Sequence, residues 1–325
     1  WTTMLFNISI AGIISIMKKK IFICEFVTGG GYFGKKIPKK LFVQAEAIIN
    51  SLLKDFSKIP NLEIIYTRDS RFKNIKNIKN TKCFFIRNDP WKYWKLILKK
   101  SNLFIPIAPE TNNELFKIIK LGLLLKKRVI ANNLDVVKIT SSKFKTYKFL
   151  KKINIPTVST YTNEKKIIFK KNFNWVVKPD DGAGCEKTYL FNNEKNLKSF
   201  FSKNKTNFII QPLIEGSSFS ANIFVKNKKL EILNFNKQII SLNKKKIVFE
   251  GKKIIEKIDN KKKIEQYIKK IIRFLPQPKG FLRINFIKKK ENIIFIDINP
   301  RITTSYKNLS KKIKINIAKK ILNNL

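Results

Sequence analysis

Apolar positions follow two rhythms along this chain. In the first third they form short unbroken runs. Residues 20–27 (KIFICEFV) read as a buried first strand, followed at once by Gly29-Gly30-Gly31 and Gly34, then by a helix over 39–56. Leu62–Tyr66, Cys83–Ile86 and Leu103–Ala108 read as further short strands, with helices at Pro90–Leu98 and Asn112–Leu125 between and after them. Unbroken apolar strands alternating with helices predict a parallel sheet covered on both faces, and ligands of such sheets sit beyond the carboxyl ends of the strands. Glu25 and the glycines fall at that end.

The rhythm then changes. A short helix, Lys143–Lys152, stops at Asn154 and Pro156. Trp175–Lys178 is a strand that ends at Pro179 and runs into Asp180-Asp181-Gly182-Ala183-Gly184-Cys185. A helix at 193–203 precedes a strand at Phe208–Gln211. Ser220–Val225 and Lys229–Phe235 read as a hairpin through Asn227-Lys228. Helix 262–274 carries Ile264, Tyr267, Ile268, Ile271 and Ile272 on one face. Strands Phe281–Ile287 and Asn292–Ile298 follow, and an amphipathic helix at about 310–323 closes the chain. This half reads as hairpin-rich α+β.

Composition narrows the chemistry. Among 325 residues there is no histidine, which excludes a Ser-His-Asp or Cys-His triad, a histidine zinc site and a histidine general base. The formal charge of +47 invites a nucleic-acid reading. The lysines form no single arm, however, and the chain is rich in Lys, Ile, Asn and Phe throughout. A codon-level bias accounts for that better than a dedicated phosphate-backbone footprint, although the field still attracts anions such as nucleotides. Cys24, Cys83 and Cys185 show no CxxC spacing, which suits a reducing compartment. Cys185, the cysteine in the glycine loop, reads as a small filler more readily than as a reactive thiol. Residues 1–16 read as an irregular, poorly packed extension ahead of Met17 and its three lysines.

Seven of the eleven glycines sit at 29–34, 182–184 and 216, so these places are singled out in a glycine-poor chain. Gly182 and Gly184 could present amides to phosphate oxygens, although neither a Walker A loop nor a GxGxxG spacing is present. Lys178, just before that loop, could meet a phosphate. Asp297 and Asn299 lie two apart on one strand and face one side, with Asn285 opposite on the neighbouring strand. Oxygen donors so placed suit Mg²⁺ completed by water and phosphate. Arg301 follows and could clamp a transferring phosphoryl group. Gln211–Gly216 leaves a strand for a turn, where backbone groups and Glu215 could hold a base and ribose. Asn236 and Gln238 share a face and could line the same cleft. Each of these also has a plain reading, as a strand end, a turn or a solvated lysine.

Taken in order, VVKPDDGAGCE (176–186), IIQPLIEGSSFSA (209–221), LNFNKQ (233–238), GFLRINF (280–286) and FIDINPRITTSY (295–306) resemble the ATP-grasp superfamily of carboxylate–amine ligases. APETNNEL (108–115) and the strand ending in Glu25 fit as well. The look is closest to the archaeal and methylotroph branch, which implies glutamate added to an amine in methanofuran-type cofactor synthesis. The resemblance implies an α/β N-terminal domain plus ATP-grasp α+β domains. They divide as an extension over 1–16, a Rossmann-like domain over 17–110, a small subdomain with the glycine loop over 111–207, and a C-terminal subdomain with the metal site over 208–325.

It also implies roles. Lys143 and Lys178 would contact ATP phosphates or the adenine ring, and Gly182–Gly184 would be the mobile phosphate loop. Gln211, Pro212, Leu213 and Ile214 would form the adenine hinge, with Glu215 on the ribose. Asn285, Asp297 and Asn299 would bind Mg²⁺, with Mn²⁺ as the alternative ion. Arg283 and Arg301 would stabilise phosphoryl oxygens. Thr303–Ser305 and the N-terminal glycines would help form the acceptor pocket. Three positions depart from the pattern. Asn285 stands where an Asp is usual, Ser142 where an acidic residue is usual, and Asp297 where Glu is commoner, so metal affinity is expected to be weak. The expected cofactors are ATP and Mg²⁺. The expected partners are a small carboxylate and a small amine in the cytoplasm, with no dedicated nucleic acid and no membrane; a homodimer is allowed. The rival classes are a non-catalytic nucleotide- or RNA-binding protein of this fold, and a ligase for another acid or peptide.

Overall fold

The computed structural model describes residues 18–162, 174–182, 184–204, 207–226, 229–243, 246–307, 309 and 316–322. The expected extension at 1–16, the hairpin turn at 227–228, Ala183, and the parts of the closing helix at 310–315 and beyond 322 lie outside them. The chain forms two compact units. One takes the described residues to Ala108, Ile118–Ile130 and those from Thr304 onward; the other takes Pro109–Lys117 and Ala131–Thr303.

The first unit holds strands β1 (Lys19–Glu25), β2 (Leu62–Asp69), β3 (Thr81–Ile86), β4 (Leu103–Ile107) and β5 (Arg128–Val129), all parallel, in the order β3-β2-β1-β4-β5. Central β1 explains its own sequence. Ile21, Phe22, Ile23 and Cys24 are all fully buried, because both faces of a parallel sheet are covered. Helix α1 (Lys39–Phe56) presents Ala45, Ile48, Ile49, Leu52, Leu53 and Phe56, spaced three and four apart, to this unit's core. Helix α2 (Pro90–Lys99) starts where the Asp89 carboxylate accepts from Trp91 N, with Pro90 in the first turn. Trp94 is buried and donates its indole N–H to Thr67 Oγ1 at 3.1 Å. Helix α3 (Glu114–Leu124) precedes β5.

The glycine turn after β1 is set by packing. A Cβ at Gly29 would fall 2.7 Å from Thr67 Oγ1, and one at Gly30, whose φ is +105°, would fall 2.8 Å from Ile86. Arg71 ties the same turn down, donating to the carbonyls of Tyr32 and Lys35 and to Asp69.

The second unit is built on an eight-stranded sheet in the order β13-β12-β9-β10-β11-β7-β6-β8. Its strands are β6 (Trp175–Pro179), β7 (Tyr189–Phe191), β8 (Phe208–Pro212), β9 (Ser217–Lys226), β10 (Lys229–Asn243), β11 (Lys246–Ile255), β12 (Gly280–Lys289) and β13 (Asn292–Asn299), and its strand pairs are antiparallel. Helices α4 (Leu134–Thr140), α5 (Lys143–Lys152), α6 (Glu194–Lys203) and α7 (Lys261–Phe274) accompany it. Period-two alternation splits the sheet into two faces. Ala221, Ile223, Val225, Leu282, Ile284, Phe286, Ile293, Phe295 and Ile298 form one core with Ile264, Ile268, Ile271 and Ile272 of α7. A second core gathers Trp175, Val177, Phe208 and Ile210 with Leu197 of α6. Segment 156–161 joins the two outer strands. Phe295 N donates to Pro156 O at 2.8 Å, while Tyr161 and Ile210 exchange backbone bonds of 2.9 and 2.8 Å. Helix α8 (Ile317–Leu322) ends the described chain and belongs with the first unit, where Asn316 donates to the Asp55 carbonyl.

The hairpin is longer than its alternation predicts, since β10 runs on to Asn243 and pairs with β11. Both strands there are half-exposed, with Ile239 at 54% and Leu242 at 60%, so no contrast of buried and polar positions marks them in sequence. No helix among the described residues is long and apolar enough to cross a membrane.

Candidate functional site

The face of the large sheet opposite α7 carries the polar residues. On β12, Arg283, Asn285 and Ile287 alternate with the core residues Leu282, Ile284 and Phe286. The register sets Arg283 opposite Asn299 and Asn285 opposite Asp297 on β13. An amide ladder crosses the neighbouring strands. Asn222 donates to Asn234 at 2.8 Å, Asn234 to Asn236 at 3.0 Å, and Asn236 to Ser220 at 3.4 Å. Asn236 and Ser220 are fully buried, so these bonds replace water for groups that cannot reach it.

Gln238 fixes the direction of Asn285. The Phe219 carbonyl can only accept, and it takes a hydrogen from Gln238 Nε2 at 3.2 Å. The same amide nitrogen donates to Asn285 Oδ1 at 2.9 Å. Asn285 therefore turns its NH₂ toward Asp297, with which it makes a short hydrogen bond, and toward Asn299 Oδ1 at 3.3 Å. Asp297 and Asn299 remain as hard oxygen donors two apart on one strand. One carboxylate and one amide oxygen, completed by phosphate and water, suit Mg²⁺. Asn285 would supply an oxygen only with its amide turned over. Among the described residues no three Asp, Glu, Cys or His cluster as a metal site.

Lys143, Lys178, Arg283 and Arg301 all belong to this unit. Lys178, the fourth residue of β6, keeps partial solvent access, yet the surrounding protein is dense enough that desolvation pulls its pKa down to about 8. Asp297 opposes that shift and Lys143 adds to it. Burial likewise lowers Arg283 to about 10, against the attraction of Asp297 and with the repulsion of Arg301. The Arg283 Nε–H is buried without a partner, an unusual state for so polar a group. Cys185 lies within electrostatic reach of both Lys178 and Arg283, so the glycine loop and these cations come together.

Lys143 has a different role from Lys178. Its ammonium donates to the carbonyls of Asp180 at 3.1 Å and Gly182 at 2.7 Å, and Phe144 N donates to the Asp180 carboxylate at 2.8 Å. Ser142, in place of an acidic residue, caps α5 by accepting from Lys145 N at 3.1 Å. The start of α5 thus grips the base of the glycine loop. Gly184, Cys185 and Lys187 beyond it all have positive φ.

Arg301 is held by a residue to which the sequence reading gave no role of its own. Glu110 accepts from Arg301 Nε at 2.9 Å and Nη2 at 2.8 Å. A lone Glu in a loop carries no spacing signal, and only its place in APETNNEL set it apart.

Of the expected hinge, Leu213 and Ile214 line a recess of about 350 Å³, whereas Gln211 and Pro212 do not. Leu213, Ile214, Ile287 and Ile294 give it apolar walls, and Glu215 and Lys289 are its charged members. Ile287 lies two beyond Asn285, on the same face. Gln211 is not among the lining residues; it is buried and donates to Thr160 Oγ1 at 2.8 Å. Leu213 N is engaged by the Asn174 carbonyl at 2.9 Å. Pro212, the last residue of β8, is half-buried. Exposed Glu215 meets Lys289 Nζ at 2.6 Å, and that hydrogen bond and charge hold its carboxyl below the ordinary value. Thr303 belongs to the second unit, while Thr304, Ser305 and the N-terminal glycines belong to the first.

Comparison with known proteins identifies the family. Residues 62–137 match the pre ATP-grasp 3 domain, and residues 140–305 match an ATP-grasp domain. The tyramine–L-glutamate ligase of Methanocaldococcus jannaschii is 26% identical over 288 residues, 86% of this chain and 82% of that one. The enzyme of the same name from Methanocaldococcus fervens is 27% identical over 269 residues, 81% of each chain. A crystal structure from Archaeoglobus fulgidus, of a protein assigned to the ATP-grasp superfamily, covers 94% of this chain and 88% of its own, with a TM-score of 0.73 at 19% identity. The ATP-grasp match spans half the chain, and it falls on the segments that carry the loop, the cations and Asp297. The chain belongs to the ATP-grasp family and is an ATP-dependent ligase.

Proposed function

We propose that this ligase joins a small carboxylate to a small amine through an acyl phosphate. The observation that carries the reading is the grouping of Lys178, Arg283 and Arg301 with Asp297 and Asn299 beside a glycine loop. Lys178 and Arg283 are cations already stripped of much of their water, so an anion arriving there meets strong attraction. The recess at Leu213, Ile214, Ile287 and Ile294 suits a flat base, and Glu215 suits a ribose hydroxyl. Asp297 and Asn299 would hold Mg²⁺, which supplies charge neutralisation on phosphate oxygens when bound.

In the first step a carboxylate oxygen of the acid attacks the γ-phosphorus and ADP leaves. Lys178, Arg283 and Arg301 balance the charge on the transferring group, which is most of what phosphoryl transfer asks of a protein. In the second step the amine nitrogen attacks the acyl carbon, the C–O bond to phosphate breaks, and the nitrogen gives up a proton. No histidine is needed, since phosphate is itself a good leaving group.

For the substrates we infer glutamate as the acid and a tyramine-like aralkyl amine as the acceptor. This rests on two relatives of that name that match over four-fifths of the chain. We place the protein in a reducing cytoplasm on its cysteine pattern, and leave a homodimer as the assembly to check by light scattering.

ADP release measured with ATP, Mg²⁺, glutamate and tyramine tests the reading, with product mass as confirmation. Amine-dependent ADP release that Asp297→Ala reduces at least 100-fold supports it. Full activity in Asp297→Ala would remove the metal role. A second reading, nucleotide binding without turnover, draws on Asn285 facing Asp297 with its NH₂. Tight ATP binding with no ADP release across a panel of acids and amines would favour it.

A further inference from the structure

The segment Glu110–Asn112 touches two parts of the site at once. The Glu110 side chain is 5% exposed and forks onto Arg301 through both oxygens, the strongest geometry for this pair. The next residue, Thr111, donates its hydroxyl to the Asp181 carbonyl at 3.0 Å. Asn112 N then donates to the Asp181 carboxylate at 2.9 Å. To aim that N–H, the chain holds Asn112 and Asn113 at φ of +57° and +60°, which asparagine tolerates better than most residues. Asp181 sits between Asp180 and Gly182, both already gripped by Lys143.

Charge gives the fork a purpose. Lys143, Lys178, Arg283 and Arg301 lie in one unit with Asp297, and they repel in two pairs, Lys143 with Lys178 and Arg301 with Arg283. Glu110 is the carboxylate that meets Arg301 directly. It spends the Nε and Nη2 edge of the guanidinium and leaves Nη1 with only a long contact of 3.4 Å to the Ile302 carbonyl.

We propose that Glu110–Asn112 is the positioning element of the phosphoryl site: Glu110 sets the plane of the Arg301 guanidinium, while Thr111 and Asn112 fix Asp181 at the base of the glycine loop, so that loop and arginine keep one registry. The proposal rests on the ligase reading above for its kinetic consequence. A buried ion pair that served stability alone would behave differently when either partner is removed.

The experiment is a double-mutant cycle on ADP release with Glu110→Ala, Arg301→Ala and the double variant, together with Glu110→Gln and amide exchange of the peptide carrying Asp181. Losing a charge-assisted pair should lower kcat about 10- to 100-fold, with KM for ATP held within about threefold. Glu110→Gln, which keeps one acceptor oxygen, should regain part of that loss. The double variant should match Arg301→Ala within about twofold, and the Asp181 peptide should exchange faster in Glu110→Ala. A double variant whose loss is the product of the two single losses overturns the proposal, as does a Glu110→Ala protein with wild-type kcat. If Glu110→Ala does not fold, Glu110→Gln carries the same cycle against Arg301→Ala. If the wild type releases no ADP with any acid and amine, the ligase reading has failed by itself. Exchange then decides the positioning role, and unchanged exchange at Asp181 in both Glu110 variants overturns it.

Discussion

At the scale of single residues, the two lysines assigned to ATP separate by what their ammonium groups already hold. Lys143 is committed to two loop carbonyls, so its substitution should loosen the loop. Lys178 is desolvated, with its pKa pulled down to about 8, and is therefore the cation whose charge depends on pH near neutrality. Its charged form prevails below that value and fades above it. ATP affinity measured by titration calorimetry should hold from pH 6.5 to 7.5 and fall as pH rises through about 8. In Lys178→Arg, whose group stays charged, the fall should vanish; a fall that persists there would assign the titration elsewhere. Folding responds in the opposite direction. The unfolded chain binds the Lys178 proton more readily between about 8 and the ordinary lysine value, so the cost of this charge in the folded protein fades as pH climbs through that window. Strand alternation let the sequence put Asp297 and Asn299 on one face of β13, while Lys178 and Arg301 were singled out only by the glycine loop and the strand end beside them. Glu110 was not legible as a partner of Arg301, since the two are 191 positions apart.

At the scale of elements, β12 and β13 were readable because each has one buried and one polar face, and Asn285, Asp297 and Asn299 meet on the polar one. The extended hairpin of β10 and β11 was not, because neither of its faces is fully buried. The connector between β8 and β9 shows how an element places a site residue. Gly216 has a φ of +139°, and a Cβ there would stand 2.7 Å from the Lys288 carbonyl and 2.8 Å from Ile287 Cγ2. The connector can lie against β12 only without a side chain, and that contact sets one edge of the recess beside Leu213 and Glu215. Gly216→Ala should destabilise the protein by about 1–3 kcal/mol through strain and displacement. It should also raise KM for ATP more than it lowers kcat, because none of Lys178, Arg283 and Arg301 lines the recess. Thermal denaturation and steady-state kinetics check both halves. An unchanged KM would mean that the base does not bind there.

At the scale of the whole molecule, sequence order hides how the chain is shared. The first unit gathers residues to Ala108, then Ile118–Ile130, then those from Thr304, and no local pattern announces such a return. The net charge of +47 is the other global property, and its meaning depends on where screening acts. At physiological salt the screening length is about 8 Å, so exposed lysines act on an approaching anion only nearby, while buried groups such as Arg283 are screened far less. Diffuse charge should therefore govern encounter with ATP, and the buried cluster should govern its reaction. Raising NaCl from about 50 to 500 mM should increase KM for ATP several-fold and leave kcat within about twofold. RNA should bind through the same diffuse field, weakly and without sequence preference, and should be lost over that range with a steep dependence on salt. A nanomolar, sequence-selective RNA affinity that survives 150 mM salt would reverse this assignment, because a diffuse field alone supplies neither selectivity nor retention. A kcat that fell in parallel with affinity would place exposed lysines in the reaction itself.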